Sequence, residues 1–290
     1  MSNVVTVYVN WLNIINRKNI QKKVLALNIV IAPDSYKGSL TALEVGLIMK
    51  QAFEDEWKKA HVQVYPMADG GEGTLDTLIY ATDGNRFPVE ATGPLGEHIQ
   101  TEFGVLGNGK TVVIEMANIA GLPMVPVEKR NPLYTTTYGI GEVILAAVKE
   151  GYRDFIIGLG GSATNDGGLG MLQALGATFK NEVGETVGIL GQSVSHVAAV
   201  DFSTLHPSLK ECQFTEELVP PLDEALQRYA NLIEATTSSS FQHVPGAGAA
   251  GGLGFAFLLL GGSIVSGSKV VGDAVQLEAA VQSAYWVITG

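Results

Sequence analysis

The sequence predicts an α/β fold, and three features favour this fold. The chain has 290 residues and 35 glycines, about 12% of the chain against a usual ~7%. Charged residues make up only 16% of it and hydrophobic residues 46%. Short apolar runs typical of parallel strands alternate with helical patterns, and several of these runs end in glycine-rich loops. The length suits one large domain or two ordinary ones with a buried core.

Charge and cysteine content exclude several classes of protein. The net charge is −11 without any cluster of basic residues on a periodic face, which argues against nucleic-acid binding. The single cysteine, Cys212, excludes internal disulfides and cysteine-based zinc sites, and it fits a reducing cytoplasm. The longest apolar stretch, 253–264, is too short to cross a membrane and is broken by glycines, so we predict a buried core segment. The five histidines lack metal-ligand spacing, and no nucleophile elbow is present.

The first predicted strand, 27–32, leads into a loop and then a helix. Thr41 and Glu44 have the spacing of a capping box, so the helix is expected to begin there. Open α/β sheets bind ligands at the carboxyl ends of their strands. The candidate binding residues in this loop are therefore Asp34, Ser35 and Lys37.

Two further junctions repeat this plan. A strand predicted at 62–68 is followed by the loop 69–74, which carries Asp69 and Glu72 among three glycines. Such a loop permits close backbone approach and lets N–H groups face an anion.

The third junction follows the strand predicted at 155–159. Its loop, 160–168, combines glycines with hydroxyl groups that can hold phosphate oxygens, and it contains Asp166, which can bind a metal or accept a proton. Any one junction is compatible with ordinary helix caps and turns. All three together predict an anion or phosphate site with a metal.

Two motif matches are rejected on context. Residues 104–111 fit the P-loop pattern, but a strand follows them where a P-loop requires a helix, so Asn108-Gly109 predicts a hairpin turn. Residues 246–251 fit the dinucleotide pattern, but the segment before them is polar rather than an apolar strand. We predict a flexible or phosphate-facing loop that opens a helix through Leu253, Phe257 and Leu260.

The segment 130–139 leaves two alternatives open. Thr137 is a suitable N-cap for the helix that follows. Arg130 and the hydroxyls of Thr135, Thr136 and Thr137 lie at the same helix start, where they are also able to bind a carboxylate or phosphate.

Six motifs in order resemble the glycerate kinase type-1 family, from about residue 28 to residue 290. They are Ala-Pro-Asp-Ser-Tyr-Lys at 32–37, Ala-Asp-Gly-Gly-Glu-Gly-Thr at 68–74, Arg-Asn-Pro-Leu-Tyr-Thr-Thr-Thr-Tyr-Gly at 130–139, Gly-Gly-Ser-Ala-Thr-Asn-Asp-Gly-Gly at 160–168, Gly-Ala-Gly-Ala-Ala-Gly-Gly-Leu-Gly at 246–254 and the terminal Val-Ile-Thr-Gly. The resemblance implies phosphorylation of D-glycerate by ATP with Mg²⁺, with 2-phosphoglycerate as the expected product.

The resemblance also implies two α/β domains with the active site in the cleft between them. One is a Rossmann-like parallel sheet built from both chain ends, at 28–84 and 263–290, and the other is inserted at 85–262. Residues 1–27 form an N-terminal extension, interpreted as an added strand, an upstream start or added residues rather than a targeting segment. The family normally carries about two dozen further residues after Phe214 and continues beyond the position of Gly290, so we expect a shortened product or a partial sequence.

On this hypothesis the site residues fall into four groups. The catalytic candidates are Asp166, Asp69 and Lys37, and the metal ligands Asp166 and Glu72. The substrate is expected at Asp34, Ser35, Arg130 and Thr136, and the nucleotide phosphates at Gly160, Gly161, Ser162, Thr164, Asn165, Gly70 and Gly71. We expect a cytoplasmic monomer or homodimer that binds small molecules, without nucleic-acid or membrane partners. The alternatives are a catalytically impaired, ligand-binding relative and a kinase of another small hydroxy acid.

Overall fold

A computed structural model describes residues 27–36, 38–216 and 224–290. The chain forms two compact units. The smaller unit ends at Ala68 and resumes at Val270–Gly290, and the larger one is Asp69–Lys269. The predicted extension before residue 27 and the candidate Lys37 lie outside the described residues.

The smaller unit contains a parallel three-stranded sheet in the order β11-β1-β2. Its strands are β1 (Leu27–Ala32), β2 (Ala60–Val64) and β11 (Trp286–Thr289). Because β11 pairs with β1 in the register Ile29 to Trp286, this sheet is built from both ends of the chain, as predicted. The strand predicted at 62–68 is observed as Ala60–Val64, and the backbone hydrogen bonds to the first strand continue beyond it, from Tyr65 N to Ile31 O and from Met67 N to Pro33 O.

The capping box predicted at the first helix is confirmed. Glu44 N donates to Thr41 Oγ1 at 3.2 Å, and Thr41 N donates to Glu44 Oε2 at 2.8 Å. The smaller unit contains α1 (Ala42–Glu56) and α9 (Leu277–Ser283), and α8 (Gly267–Ala274) crosses the boundary between the units.

The larger unit contains a mixed six-stranded sheet in the order β10-β9-β6-β5-β4-β3. Its strands are β3 (Asn85–Thr92), β4 (His98–Val105), β5 (Thr111–Glu115), β6 (Asp154–Gly158), β9 (Gln213–Glu216) and β10 (Ser263–Ile264). Pairing is antiparallel from β3 to β5 and parallel from β5 to β10. With both sheets containing parallel strands and helices connecting them, the predicted α/β class is confirmed.

The turn predicted in place of a P-loop is also confirmed. Residues 106–110 connect the antiparallel strands β4 and β5, and Gly109 has a φ of 68°. Asn108 Oδ1 accepts hydrogen bonds from Lys110 N at 2.9 Å and Thr111 N at 3.0 Å.

The remaining elements of the larger unit surround this sheet. They include the helices α2 (Thr74–Thr82), α3 (Ala117–Ala120), α4 (Tyr138–Lys149), α5 (Leu169–Ala174), α6 (Glu224–Thr237) and α7 (Ala249–Leu259) and the antiparallel pair of β7 (Thr178–Lys180) with β8 (Ala199–Asp201). The stretch at 253–264 supplies core residues as predicted, since Leu253, Phe255 and Phe257 are at most 1% exposed. No helix of the described chain is long and apolar enough to span a membrane.

The observed division of the chain differs from the predicted boundaries at 84/85 and 262/263. Residues 69–84 belong to the larger unit, because α2 packs on β4. A Cβ at Gly104 would lie 2.6 Å from Ile79 Cδ1 and 2.7 Å from Leu75 Cδ1, so the helix lies directly against a glycine of that strand.

Candidate active site

Two of the predicted glycine-rich loops meet in the larger unit. Gly160 N donates to Gly70 O at 3.0 Å. A Cβ at Gly160 would lie 2.5 Å from Gly71 Cα, and one at Gly158 would lie 2.6 Å from Gly70 O. These backbones approach so closely that residues with side chains do not fit at 158 and 160.

The loop 69–73 presents two carboxylates. Asp69 and Glu72 are both exposed. Asp69 Oδ1 accepts a hydrogen bond from Gly71 N at 3.0 Å, which closes a local turn. Gly73, with a φ of 87°, then occupies the N-cap position of α2.

Glu115 is a buried acid that the sequence analysis did not single out. It ends β5, is 2% exposed, and accepts hydrogen bonds from Gly73 N at 3.1 Å through Oε1 and from Leu75 N at 2.9 Å through Oε2. Burial raises the pKa of Glu115 to about 7, the two N–H donors oppose the rise, and the nearby charges of Asp76 and Glu72 add to it. A charged residue that closes an apolar strand was the signal available in the sequence.

The loop 160–168 is half-buried and braced by its neighbours. Leu122 N donates to Gly161 O at 2.8 Å, and Ala163 N donates to Ala120 O at 2.9 Å. Ser162 Oγ accepts from Thr164 N at 3.0 Å and lies 2.9 Å from Thr164 Oγ1. Backbone and side-chain hydrogen bonds therefore connect this loop to its neighbours and join Ser162 to Thr164 within it.

Asp166, near the end of this loop, is fully buried. Its Oδ2 accepts hydrogen bonds from Thr137 N at 2.9 Å, Thr137 Oγ1 at 2.8 Å and Gly170 N at 3.3 Å, and its Oδ1 accepts from Gly168 N at 3.0 Å. Burial raises the pKa of Asp166, and these four hydrogen bonds oppose the rise. Both carboxylate oxygens thus bind protein groups, and they connect the starts of α4 and α5.

The threonines at 135–137 form hydrogen bonds within the protein. Thr135 Oγ1 donates to Ala163 O at 3.0 Å, and Thr136 Oγ1 donates to Ile189 O at 2.6 Å. Thr137 occupies the predicted N-cap position of α4, but its hydroxyl donates to Asp166 rather than capping the helix. Arg130 is exposed, and its Nε donates to Val125 O at 3.2 Å. Anion binding by this segment therefore stays open through Arg130.

The third glycine-rich segment, 246–254, packs on the loop 160–168. Gly167 N donates to Gly251 O at 2.8 Å, and a Cβ at Gly251 would lie 2.2 Å from Thr164 O. Ala250, Gly251 and Gly252 all have left-handed backbone angles, with φ of 51°, 66° and 87°. The rejection of a dinucleotide fingerprint agrees with the helix α6, rather than a strand, that precedes this segment.

Two predicted substrate residues lie in the smaller unit. Asp34 and Ser35 are half-buried just after β1, where Asp34 N donates to Gly290 O at 2.8 Å and Ser35 N donates to Asp34 Oδ1 at 2.6 Å. Within the described ranges, no group of three or more His, Cys, Asp or Glu side chains is arranged to hold a metal.

Glycine-rich loops with carboxylates at the ends of parallel strands are typical of α/β proteins that bind phosphate groups. The family model for the glycerate kinase family matches residues 29–216 and 214–290. The chain belongs to the glycerate kinase family. The two matched segments overlap at residues 214–216.

Relatives named glycerate kinase or glycerate 2-kinase are about two-fifths identical to this chain over the aligned residues. It is 42% identical to glycerate 2-kinase of Escherichia coli (strain K12) and 41% identical to glycerate kinase of Bacillus subtilis (strain 168), covering 91% of this chain and 76% of each relative. The crystal structure of a putative glycerate kinase 2 from Salmonella typhimurium LT2 superposes with a TM-score of 0.82 at 39% identity. That superposition covers 91% of this chain and 78% of the other.

Proposed function

We propose that this chain phosphorylates D-glycerate with ATP, giving phosphoglycerate, with the 2-phosphate as the expected product. The observation that carries the proposal is the family match over both segments, together with relatives named glycerate kinase at about two-fifths identity. We also place the protein in the cytoplasm, in keeping with the free, buried thiol of Cys212.

The contact between the loops 69–73 and 158–161 supports this function. Phosphoryl transfer depends mainly on positioning and on stabilisation of charge at the transferred group. Gly161 is exposed and Gly160 and Ser162 are half-buried, so this end of the loop is accessible, whereas Gly70, Gly71 and Thr164 are buried behind it. We assign the nucleotide phosphates to these loops, with Asn165 as a further contact.

The exposed carboxylates fit a Mg²⁺ ion bound together with nucleotide. Mg²⁺ is usually held by one or two protein carboxylates plus substrate phosphates, so a cluster of three acids is not required. Glu72 and Asp69 are accessible hard-oxygen ligands on the same loop. When bound, the ion would neutralise charge on the transferred phosphoryl group.

Asp166 stays a candidate base or metal ligand, and because it is fully buried, either task requires the substrate or the ion to gain access to its carboxylate. Asp69 is the more accessible candidate base, because it is exposed and its Oδ1 accepts a hydrogen bond from Gly71 N at the surface of the loop. Lys37 completes the proposed catalytic set.

For the glycerate carboxylate we propose Arg130 as the cationic partner, since its guanidinium is exposed and suits bidentate binding. Asp34 and Ser35 are proposed to orient the hydroxyl groups of the substrate. Thr136, whose hydroxyl is bonded to Ile189 O, would contribute by shaping the start of α4.

A coupled assay of ADP formation from ATP and D-glycerate tests the proposal. ³¹P NMR of the product distinguishes the 2-phosphate from the 3-phosphate, and a panel of small hydroxy acids tests for another substrate. ADP formation no faster than without glycerate, by protein that is folded by circular dichroism, would contradict the proposal.

The family match divided at 214–216 favours one second candidate, a relative that binds ligand without transferring phosphate. It predicts thermal stabilisation by ATP or glycerate and no turnover.

A further inference from the structure

The loop 69–73 is attached to the rest of the larger unit on both sides. On one side Gly70 O accepts a hydrogen bond from Gly160 N at 3.0 Å. On the other side Glu115 accepts hydrogen bonds from Gly73 N and Leu75 N. The two exposed carboxylates of the loop, Asp69 and Glu72, flank the first attachment and precede the second.

The second attachment depends on one side chain. Helix α2 has unpaired N–H groups in its first turn, as every helix does, and the carboxylate of Glu115 binds two such groups at this end. Glu115 ends β5, where it pairs in register with Gly158 of β6. Its carboxylate therefore connects α2 to the same sheet edge from which the loop 158–161 begins.

We propose that Glu115 is a positioning residue that holds the loop 69–73, and with it Glu72 and Asp69, against the loop 158–161. The inference rests on the proposed function, because it assigns the held carboxylates to the phosphoryl-transfer site. Glu115 is 2% exposed and acts through the backbone of Gly73 and Leu75, so it is not itself a catalytic residue.

The test compares Glu115→Gln and Glu115→Ala with a matched control. Glu234 of α6 also accepts hydrogen bonds from two consecutive backbone N–H groups, those of Phe241 and Gln242, in a different part of the larger unit. Glu234→Gln thus perturbs the same kind of contact, a carboxylate that accepts two backbone N–H groups, without touching the loop 69–73. The readouts are amide hydrogen exchange of each loop, kcat and KM for both substrates, and melting temperature.

We expect Glu115→Ala to raise the exchange rates of the Gly73 and Leu75 amides by about tenfold or more. We expect kcat to fall by up to about 100-fold, with a smaller change in the KM for glycerate, because a small displacement of catalytic groups costs mainly rate. Glu115→Gln retains one acceptor oxygen, so its amide exchange rates and its kcat should lie between those of the wild type and those of Glu115→Ala. Glu234→Gln should change exchange only near 241–242 and leave kcat unchanged.

Two results would overturn the inference. One is unchanged exchange at Gly73 and Leu75 in Glu115→Ala with kcat within twofold of wild type. The other is a loss of kcat that follows melting temperature equally in the Glu115 and Glu234 variants, since that indicates general destabilisation. Failure of the proposed function is recognised separately, by a folded wild type without turnover; amide exchange then still decides whether Glu115 holds the loop.

Discussion

Replacement of Asp166 by Asn separates a structural contribution of this carboxylate from a chemical one. Asp166 is fully buried and accepts four hydrogen bonds. An Asn oxygen at the position of Oδ2 keeps the two donors from Thr137 and the one from Gly170. Its amide nitrogen then faces Gly168 N–H, so that one hydrogen bond is replaced by two opposed donors.

The expected loss of stability follows from these bonds. An unpaired buried N–H costs about 1–3 kcal/mol, and hydrogen bonds to a neutral acceptor are each weaker than those to a charged one by about 1 kcal/mol. The desolvation of the carboxylate, which raises the pKa of Asp166, offsets part of that sum. We therefore expect the free energy of unfolding to fall by about 2–4 kcal/mol. For a unit of the size of Asp69–Lys269, this corresponds to about 5–15 °C in melting temperature.

Calorimetric melting and steady-state phosphorylation, measured on the same preparations, form the assay. Asp201→Asn is the control, because Asp201 is an exposed aspartate of the same unit that accepts hydrogen bonds from the side chain of Ser203 and from Ser203 N, the latter at 2.8 Å. The control should change the free energy of unfolding by less than about 0.5 kcal/mol. A melting temperature of Asp166→Asn within 1 °C of wild type would refute the structural reasoning, and lost turnover in that case would identify Asp166 as a chemical group.

Three further predictions concern Glu115, Gly160 and Glu72 of the larger unit. Because the pKa of Glu115 is raised from 4.5 to about 7, the stability of wild type relative to Glu115→Gln should fall by up to about 3 kcal/mol as pH rises from 4.5 through 7, measured by urea unfolding at several pH values. Gly160→Ala places a Cβ 2.5 Å from Gly71 Cα and should lower stability by about 2–4 kcal/mol in thermal melts. Glu72→Gln should raise the Mg²⁺ concentration needed for half-maximal turnover by about tenfold and leave the melting temperature unchanged, because this carboxylate is exposed.

Each of these has a result that contradicts it. If the difference in unfolding free energy between wild type and Glu115→Gln does not change with pH, Glu115 has the same pKa in the folded and unfolded chains. For the steric prediction the control is Gly151→Ala, where a Cβ meets no atom within 4 Å but the φ of 97° strains the backbone. A Gly160→Ala variant less destabilised than this control would be inconsistent with the loop contact. An unchanged Mg²⁺ requirement in Glu72→Gln would remove Glu72 from the metal site.

Local signals in the sequence predicted local structure well. The Thr41–Glu44 capping box and the Asn108-Gly109 turn are confirmed, because both depend on hydrogen bonds between residues at most three positions apart. The apolar run at 27–32 is a parallel strand as expected, and the apolar stretch from Leu253 is core. The predicted strand that ended at Ala68 was too long, since the observed strand ends at Val64.

Local sequence patterns did not predict which groups the buried acids bind. Asp166 bonds to Thr137, 29 positions away, and Glu115 bonds to Gly73, 42 positions away. Nothing in the local spacing of either carboxylate indicates which N–H groups it meets. The division of the chain at Ala68 likewise depends on where α2 packs, and not on composition.

The sequence by itself determined the α/β class, the three strand-end loops with their glycines and carboxylates, and the family to which the motifs point. Only the tertiary structure decided which of those groups are accessible: Asp69 and Glu72 are exposed, whereas Asp166 and the hydroxyls at 135–137 are bonded inside the protein. The physical reason is that short-range pattern governs which residues form a strand, turn or cap, while burial and long-range hydrogen bonds arise only when distant segments pack together.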